Sequence, residues 1–117
     1  MKLAVVGGGY VGLVSAVCFA ELGHYVDLIE IDGEKVKAIN SGMSPIYEKG
    51  LEEILCSHIG QNIRATSIYK DISDVDATFI CVGTPPRPDG SADLSMIESV
   101  SRSIGLALEK RYVFSSP

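Results

Sequence analysis

The feature that most constrains this chain is a glycine-rich turn set directly behind an apolar run. Residues 3–6 are short, continuous and apolar, and they end at Gly7. A run of this kind reads as a strand buried on both faces. Gly7-Gly8-Gly9-Tyr10-Val11-Gly12 follows and fits the pattern G-x-G-x-x-G. Glycine is common, so the pattern alone says little; between a strand and a helix it acquires a physical reason. Gly7 permits a tight turn, Gly9 lets a pyrophosphate come close to the backbone, and Gly12 lets the helix pack on the strand. The free N–H groups at the helix start then face an anion. A glycine turn that holds no ligand is the alternative reading.

The rest of the chain alternates strand and helix signals. Residues 10–22 have helical length and stop at Gly23. Val11, Val14, Ala16, Val17, Cys18, Ala20 and Leu22 cover most of that helix, which predicts close packing all round. Residues 25–31 read as a second strand. Asp32 can cap a helix running to about Asn40, with Val36 and Ile39 facing inward. Ser44-Pro45-Ile46-Tyr47 reads as an extended loop, and Leu51, Ile54, Leu55 and His58 follow at helical spacing. Residues 63–67 and 77–82 read as strands, with a proline-punctuated loop after the second. Asp93 can cap a last helix carrying Ile97, Val100, Ile104 and Leu108 on one face, and residues 112–115 read as a fifth strand.

This alternation predicts an α/β fold: a Rossmann-type doubly wound parallel sheet of about five strands, cut off after the fifth. At 117 residues the chain is long enough for one such domain, residues 1–117, and too short for two. Ligands of doubly wound sheets bind at the carboxyl ends of the strands, where the strand order switches. The ends that matter here are Gly7, Glu30 and Gly83.

Composition excludes more than it assigns. The net charge of −5, without a block of like charges, argues against a nucleic-acid partner. No apolar run approaches the roughly 18 residues of a membrane span, and the N-terminus lacks a signal-peptide pattern. Cys18, Cys56 and Cys81 have no metal or redox spacing, which predicts reduced, buried thiols in a cytoplasmic protein.

Glu30 ends the second strand 18 residues after Gly12, near where the fingerprint expects an acid. Its carboxylate can accept from ribose hydroxyls and would repel a 2′-phosphate, which favours NAD over NADP. Asp32 competes for this role, with a helix cap as its other reading. Lys35 lies one helical turn past Asp32; it either reaches the adenosine side of a cofactor or is a solvated surface lysine. Gly83-Thr84-Pro85 follows the fourth strand over the cofactor, and an ordinary proline-bearing strand exit fits it equally well.

Four blocks together resemble the UDP-glucose/GDP-mannose dehydrogenase family. They are Gly7-Gly8-Gly9-Tyr10-Val11-Gly12-Leu13; Ser44-Pro45-Ile46-Tyr47-Glu48 with Gly50-Leu51; Val82-Gly83-Thr84-Pro85-Pro86; and Asp89-Gly90-Ser91-Ala92-Asp93-Leu94-Ser95. A hydroxy-acid or acyl-CoA dehydrogenase would share the first block and not the last two. The resemblance implies an enzyme that oxidises the C6 alcohol of a nucleotide sugar, here a UDP-sugar, to a carboxylate with two NAD. It implies cofactor contacts at Gly7, Gly8, Gly9, Tyr10, Val11, Gly12, Glu30, Lys35, Val82, Gly83 and Thr84.

Three positions depart from the family pattern. Glu30 stands where aspartate is usual, Lys49 replaces a proline, and Ser116 takes the place of a threonine beside the cofactor. The family's nucleophilic cysteine and its lysine and asparagine partners lie downstream and match nothing here. The chain is therefore expected to be the N-terminal cofactor cradle of a longer enzyme, with no catalytic residue of its own and no UDP-sugar site. A stand-alone nucleotide-binding module without catalysis is the alternative. The uncovered edge of the fifth strand is expected to drive self-association, or else the last few residues are disordered; the protein is expected to be a homo-oligomer.

Overall fold

A computed structural model describes residues 1–115, with the side chains of 70, 71, 73 and 109–115 left outside the description. The chain runs β1 (Lys2–Val6), α1 (Tyr10–Glu21), β2 (Tyr25–Ile29), α2 (Gly33–Asn40), α3 (Leu51–His58), β3 (Ile63–Thr66), a 3-10 helix (Tyr69–Asp74), β4 (Ala77–Ile80) and α4 (Ser95–Ser115). The four strands are parallel in the order β3-β2-β1-β4. The chain thus winds outward from β1 to β3, then crosses back to place β4 on the other side of β1. That reversal makes the carboxyl ends of β1 and β4 the switch point of the sheet.

β1 is buried on both faces, as its unbroken apolar run requires. Val5 joins a cluster with Leu13, Val17, Leu28, Ile39 and Leu55, under α1, α2 and α3. Ala4 and Val6 point the other way, into a cluster with Ile29, Ile72, Val75 and Val100 under the 3-10 helix and α4. The alternation is the two-residue period of a pleated strand. Each fully buried Leu or Ile in these clusters contributes about 1.5–3 kcal/mol.

The structure corrects three expectations. Residues 112–115 belong to α4, not to a fifth strand. Between Gly105 and Pro117 no glycine or proline interrupts the chain, and Ala107-Leu108-Glu109-Lys110-Arg111 are strong helix formers, so the helix continues through the aromatic and β-branched residues. Among the described strands the edge on this side of the sheet is therefore β4, whose Phe79 and Ile80 remain 41% and 42% exposed, and the self-association expected from a fifth strand loses that basis. Second, α1 is not packed all round: Leu13, Ala16, Val17 and Ala20 are buried, while Val11 is 62% exposed and Leu22, just past its end, 73%. Third, Cys18 and Cys56 are exposed thiols and Cys81 is half-buried. The 3-10 helix escaped the sequence reading because six residues, two turns, carry too short a hydrophobic period to read.

Candidate functional site

The carboxyl ends of β1, β2 and β4 converge on a cavity of about 210 Å³. Its lining includes Gly7, Gly8, Gly9, Glu30, Lys35, Val82 and Gly83, all expected from the sequence. Backbone ladders extend past the strand ends and fix this geometry. Gly7 N–H donates to the Ile29 carbonyl at 2.8 Å, Cys81 N–H to Val6 at 2.8 Å, and Glu30 N–H to Thr66 at 2.9 Å.

The glycine turn is shaped by contacts that no side chain could survive. Gly7 has φ 109°, and a Cβ there would lie 2.5 Å from the Cys81 carbonyl oxygen. A Cβ on Gly12 would fall on the Gly7 carbonyl oxygen, closer than any non-bonded contact allows. Gly9 is different, because a Cβ there would meet nothing within 4 Å. Its surroundings are open on the side where α1 begins. Gly9 is the N-cap of α1; no side chain caps the helix and no acid sits in its first turn. The first intrahelical bond runs from Leu13 N–H to the Gly9 carbonyl at 2.9 Å, so the N–H groups of Tyr10, Val11 and Gly12 have no helical acceptor. Uncapped donors, a positive helix end and open space beside Gly9 fit the pyrophosphate of a dinucleotide.

Glu30 is buried, and its carboxylate is fixed from two sides. Oε1 accepts from Gly8 N–H at 3.0 Å and Oε2 from Asp32 N–H at 2.9 Å. The competitor Asp32 is a helix cap: its Oδ1 accepts from Glu34 N–H at 3.0 Å. Each oxygen of Glu30 keeps a further lone pair for a ligand hydroxyl.

The remaining expected residues fall outside the cavity lining. Gly12 packs beneath the turn. Tyr10 and Val11 are exposed on the first turn of α1, and Thr84 is exposed just beyond Gly83. Ser116 lies outside the described residues. Ile31, Tyr69, Met96 and Val100 line the cavity without having been singled out as site residues. Ile31 had a readable signal, an apolar residue right after the strand-end acid; Tyr69 and Met96 had none. Burial, and then the charge of Glu30, raise the Tyr69 phenol above its ordinary range. Burial alone raises the Cys81 thiol. Two larger concavities, of about 480 and 460 Å³, lie at residues 44–53 and at the amino ends of the strands, and no residue of 7–12 lines either.

A doubly wound parallel sheet with an open glycine turn, an uncapped helix start and a strand-end carboxylate defines a dinucleotide-binding domain of the Rossmann type. Residues 1–116 match the UDP-glucose/GDP-mannose dehydrogenase family, NAD binding domain. The chain belongs to this family, and NAD is its cofactor.

The relatives agree. UDP-glucose 6-dehydrogenase of Haloferax volcanii is 43% identical over 111 residues, 95% of this chain and 26% of that protein. The ternary complex of GDP-mannose dehydrogenase from Pseudomonas aeruginosa superposes with a TM-score of 0.89 at 41% identity, covering 92% of this chain and 25% of that one. A UDP-glucose dehydrogenase from Pyrobaculum islandicum gives a TM-score of 0.84 at 43% identity, covering 89% and 24% of the two chains. The chain spans between 12% and 26% of the length of the curated relatives it matches.

Proposed function

We propose that residues 1–117 form the cofactor-binding unit of a UDP-glucose 6-dehydrogenase-like enzyme, which oxidises the C6 alcohol of a UDP-sugar to a carboxylate. The observation that carries this reading is the buried, doubly anchored carboxylate of Glu30 beside the open start of α1. NAD, when bound, supplies the hydride acceptor for the oxidation. The chain's own residues bind and orient it. The N–H groups of Tyr10, Val11 and Gly12 and the backbone of Gly7, Gly8 and Gly9 meet the pyrophosphate. Glu30 accepts from the adenosine ribose, Lys35 borders the same end, and Val82, Gly83 and Thr84 flank the cofactor at the exit of β4. Ser116 completes the set by family resemblance. The UDP-sugar is a partner of the longer protein, and a homo-oligomer in the cytoplasm is part of this reading. Its support as to compartment is that Cys18, Cys56 and Cys81 are all free thiols, as in a reducing environment.

Two expected results test the reading. The chain should bind NADH about tenfold or more tightly than NADPH, because a 2′-phosphate would meet the Glu30 carboxylate. Fluorescence titration checks this, and equal or tighter NADPH binding would sink it. Mixed with UDP-glucose and NAD, the 117-residue chain should form no NADH above an enzyme-free control. Cys81 is the thiol beside the groove, and its raised proton affinity keeps it protonated and a poor nucleophile. Steady absorbance growth at the NADH band would overturn this expectation.

A further inference from the structure

The block at 44–51 carries part of the family resemblance, yet none of its residues lines the cavity beside Glu30. It reaches the glycine turn by another route. The Tyr10 hydroxyl donates to Glu48 Oε2 at 2.7 Å, across 38 residues of sequence. We propose that Glu48 is a positioning residue for the cofactor: its carboxylate holds the Tyr10 ring clear of the open N–H groups at the start of α1. The proposal rests on the reading that those N–H groups take the NAD pyrophosphate.

The loop is built to present Glu48. The Ser44 hydroxyl donates to the Ile46 carbonyl at 2.5 Å and accepts from Ile46 N–H at 3.2 Å, which closes a tight turn. Ser44 N–H donates to Glu52 Oε1 at 3.0 Å and Leu51 N–H to the Glu48 carbonyl at 3.1 Å, so the loop is tied to α3 at both ends. Ile46 packs against the larger core cluster. Tyr10, by contrast, is the first residue of α1 and is 56% exposed. An unrestrained ring at that position would sample rotamers that cover the three donors beside it. The bond to Glu48 selects one rotamer before the ligand arrives, which removes an ordering cost from binding. The bond and the carboxylate's charge both raise the Tyr10 phenol, so it remains a donor at neutral pH.

The test is a double-substitution cycle on the 117-residue chain, reading the NADH dissociation constant and the thermal midpoint. Tyr10→Phe and Glu48→Ala should each weaken NADH about three- to tenfold, and the double variant should be no weaker than either single. Glu48→Gln keeps an oxygen that accepts from the phenol and should restore most of the affinity lost in Glu48→Ala. Unchanged NADH affinity in both single variants with a lowered midpoint would reduce the pair to a structural tie and overturn the proposal. Additive losses, or a loss in Glu48→Gln equal to that in Glu48→Ala, would also overturn it. If the unsubstituted chain fails to bind NADH, the functional reading falls and this assignment with it; if only the variants behave as wild type, the assignment alone falls.

Discussion

Gly12→Ala should cost the chain about 3 kcal/mol or more of stability, at or beyond the upper end for overpacked sites. The added Cβ would occupy the position of the Gly7 carbonyl oxygen, a backbone atom that cannot swing aside. Relief requires moving α1 away from β1, and α1 carries Leu13, Ala16, Val17 and Ala20 into the larger core cluster. A stability of about 5–15 kcal/mol is ordinary for a domain, so one methyl group would remove a large share of it. Gly9→Ala is the matched control. Its Cβ would meet no protein atom within 4 Å, and the native φ of −79° suits alanine. Its stability should stay within about 0.5 kcal/mol of the unsubstituted chain, while NADH binding should weaken about tenfold or more as the methyl enters the space left for the pyrophosphate. Urea denaturation and NADH titration separate the two effects. A Gly12→Ala chain of normal stability, or a Gly9→Ala chain of normal affinity, would refute the corresponding half.

Glu30→Ala should damage the protein twice. Removal of the carboxylate strips the buried Gly8 N–H and the partly buried Asp32 N–H of their acceptors. An unsatisfied buried donor costs about 1–3 kcal/mol, so the ligand-free chain should lose about 2 kcal/mol or more. The same change should weaken NADH and erode its preference over NADPH, since the group proposed to face the 2′-position is gone. Glu30→Gln separates the roles: its amide retains one acceptor and turns the other into a donor facing a backbone N–H. It should therefore lie between wild type and Glu30→Ala in stability. A Glu30→Ala chain with an unaltered denaturation midpoint would show that the backbone brace contributes nothing.

How much of this was legible depends on how local each feature is. β1, the glycine turn and α1 share one continuous stretch whose chemistry is dictated by close approach, and they were readable. Glu30 was separated from Asp32 because it ends an apolar run, and the helix-cap reading of Asp32 is what the structure has. The tail misled because Tyr112-Val113-Phe114 have strand-like side chains, while the absence of a helix breaker upstream decides the backbone. Tyr69 and Met96 reach the cavity through the return of the 3-10 helix and α4 over the sheet, which no short-range spacing encodes. The Tyr10–Glu48 pair is of the same kind: both residues sit in recognisable blocks, but their meeting depends on where α3 packs against α1.

The placement of β1 and β4 has a mechanical consequence. At the β1–β2 end, the floor of the groove continues strands that are paired on both sides and covered on both faces. At the β4 end, Gly83 and Thr84 extend from a strand that, among the described strands, pairs with β1 alone. The groove therefore has a stiff jaw and a compliant one. A long ligand laid across it would be gripped first where the protein does not yield, and any mismatch in length would be absorbed by the β4 jaw.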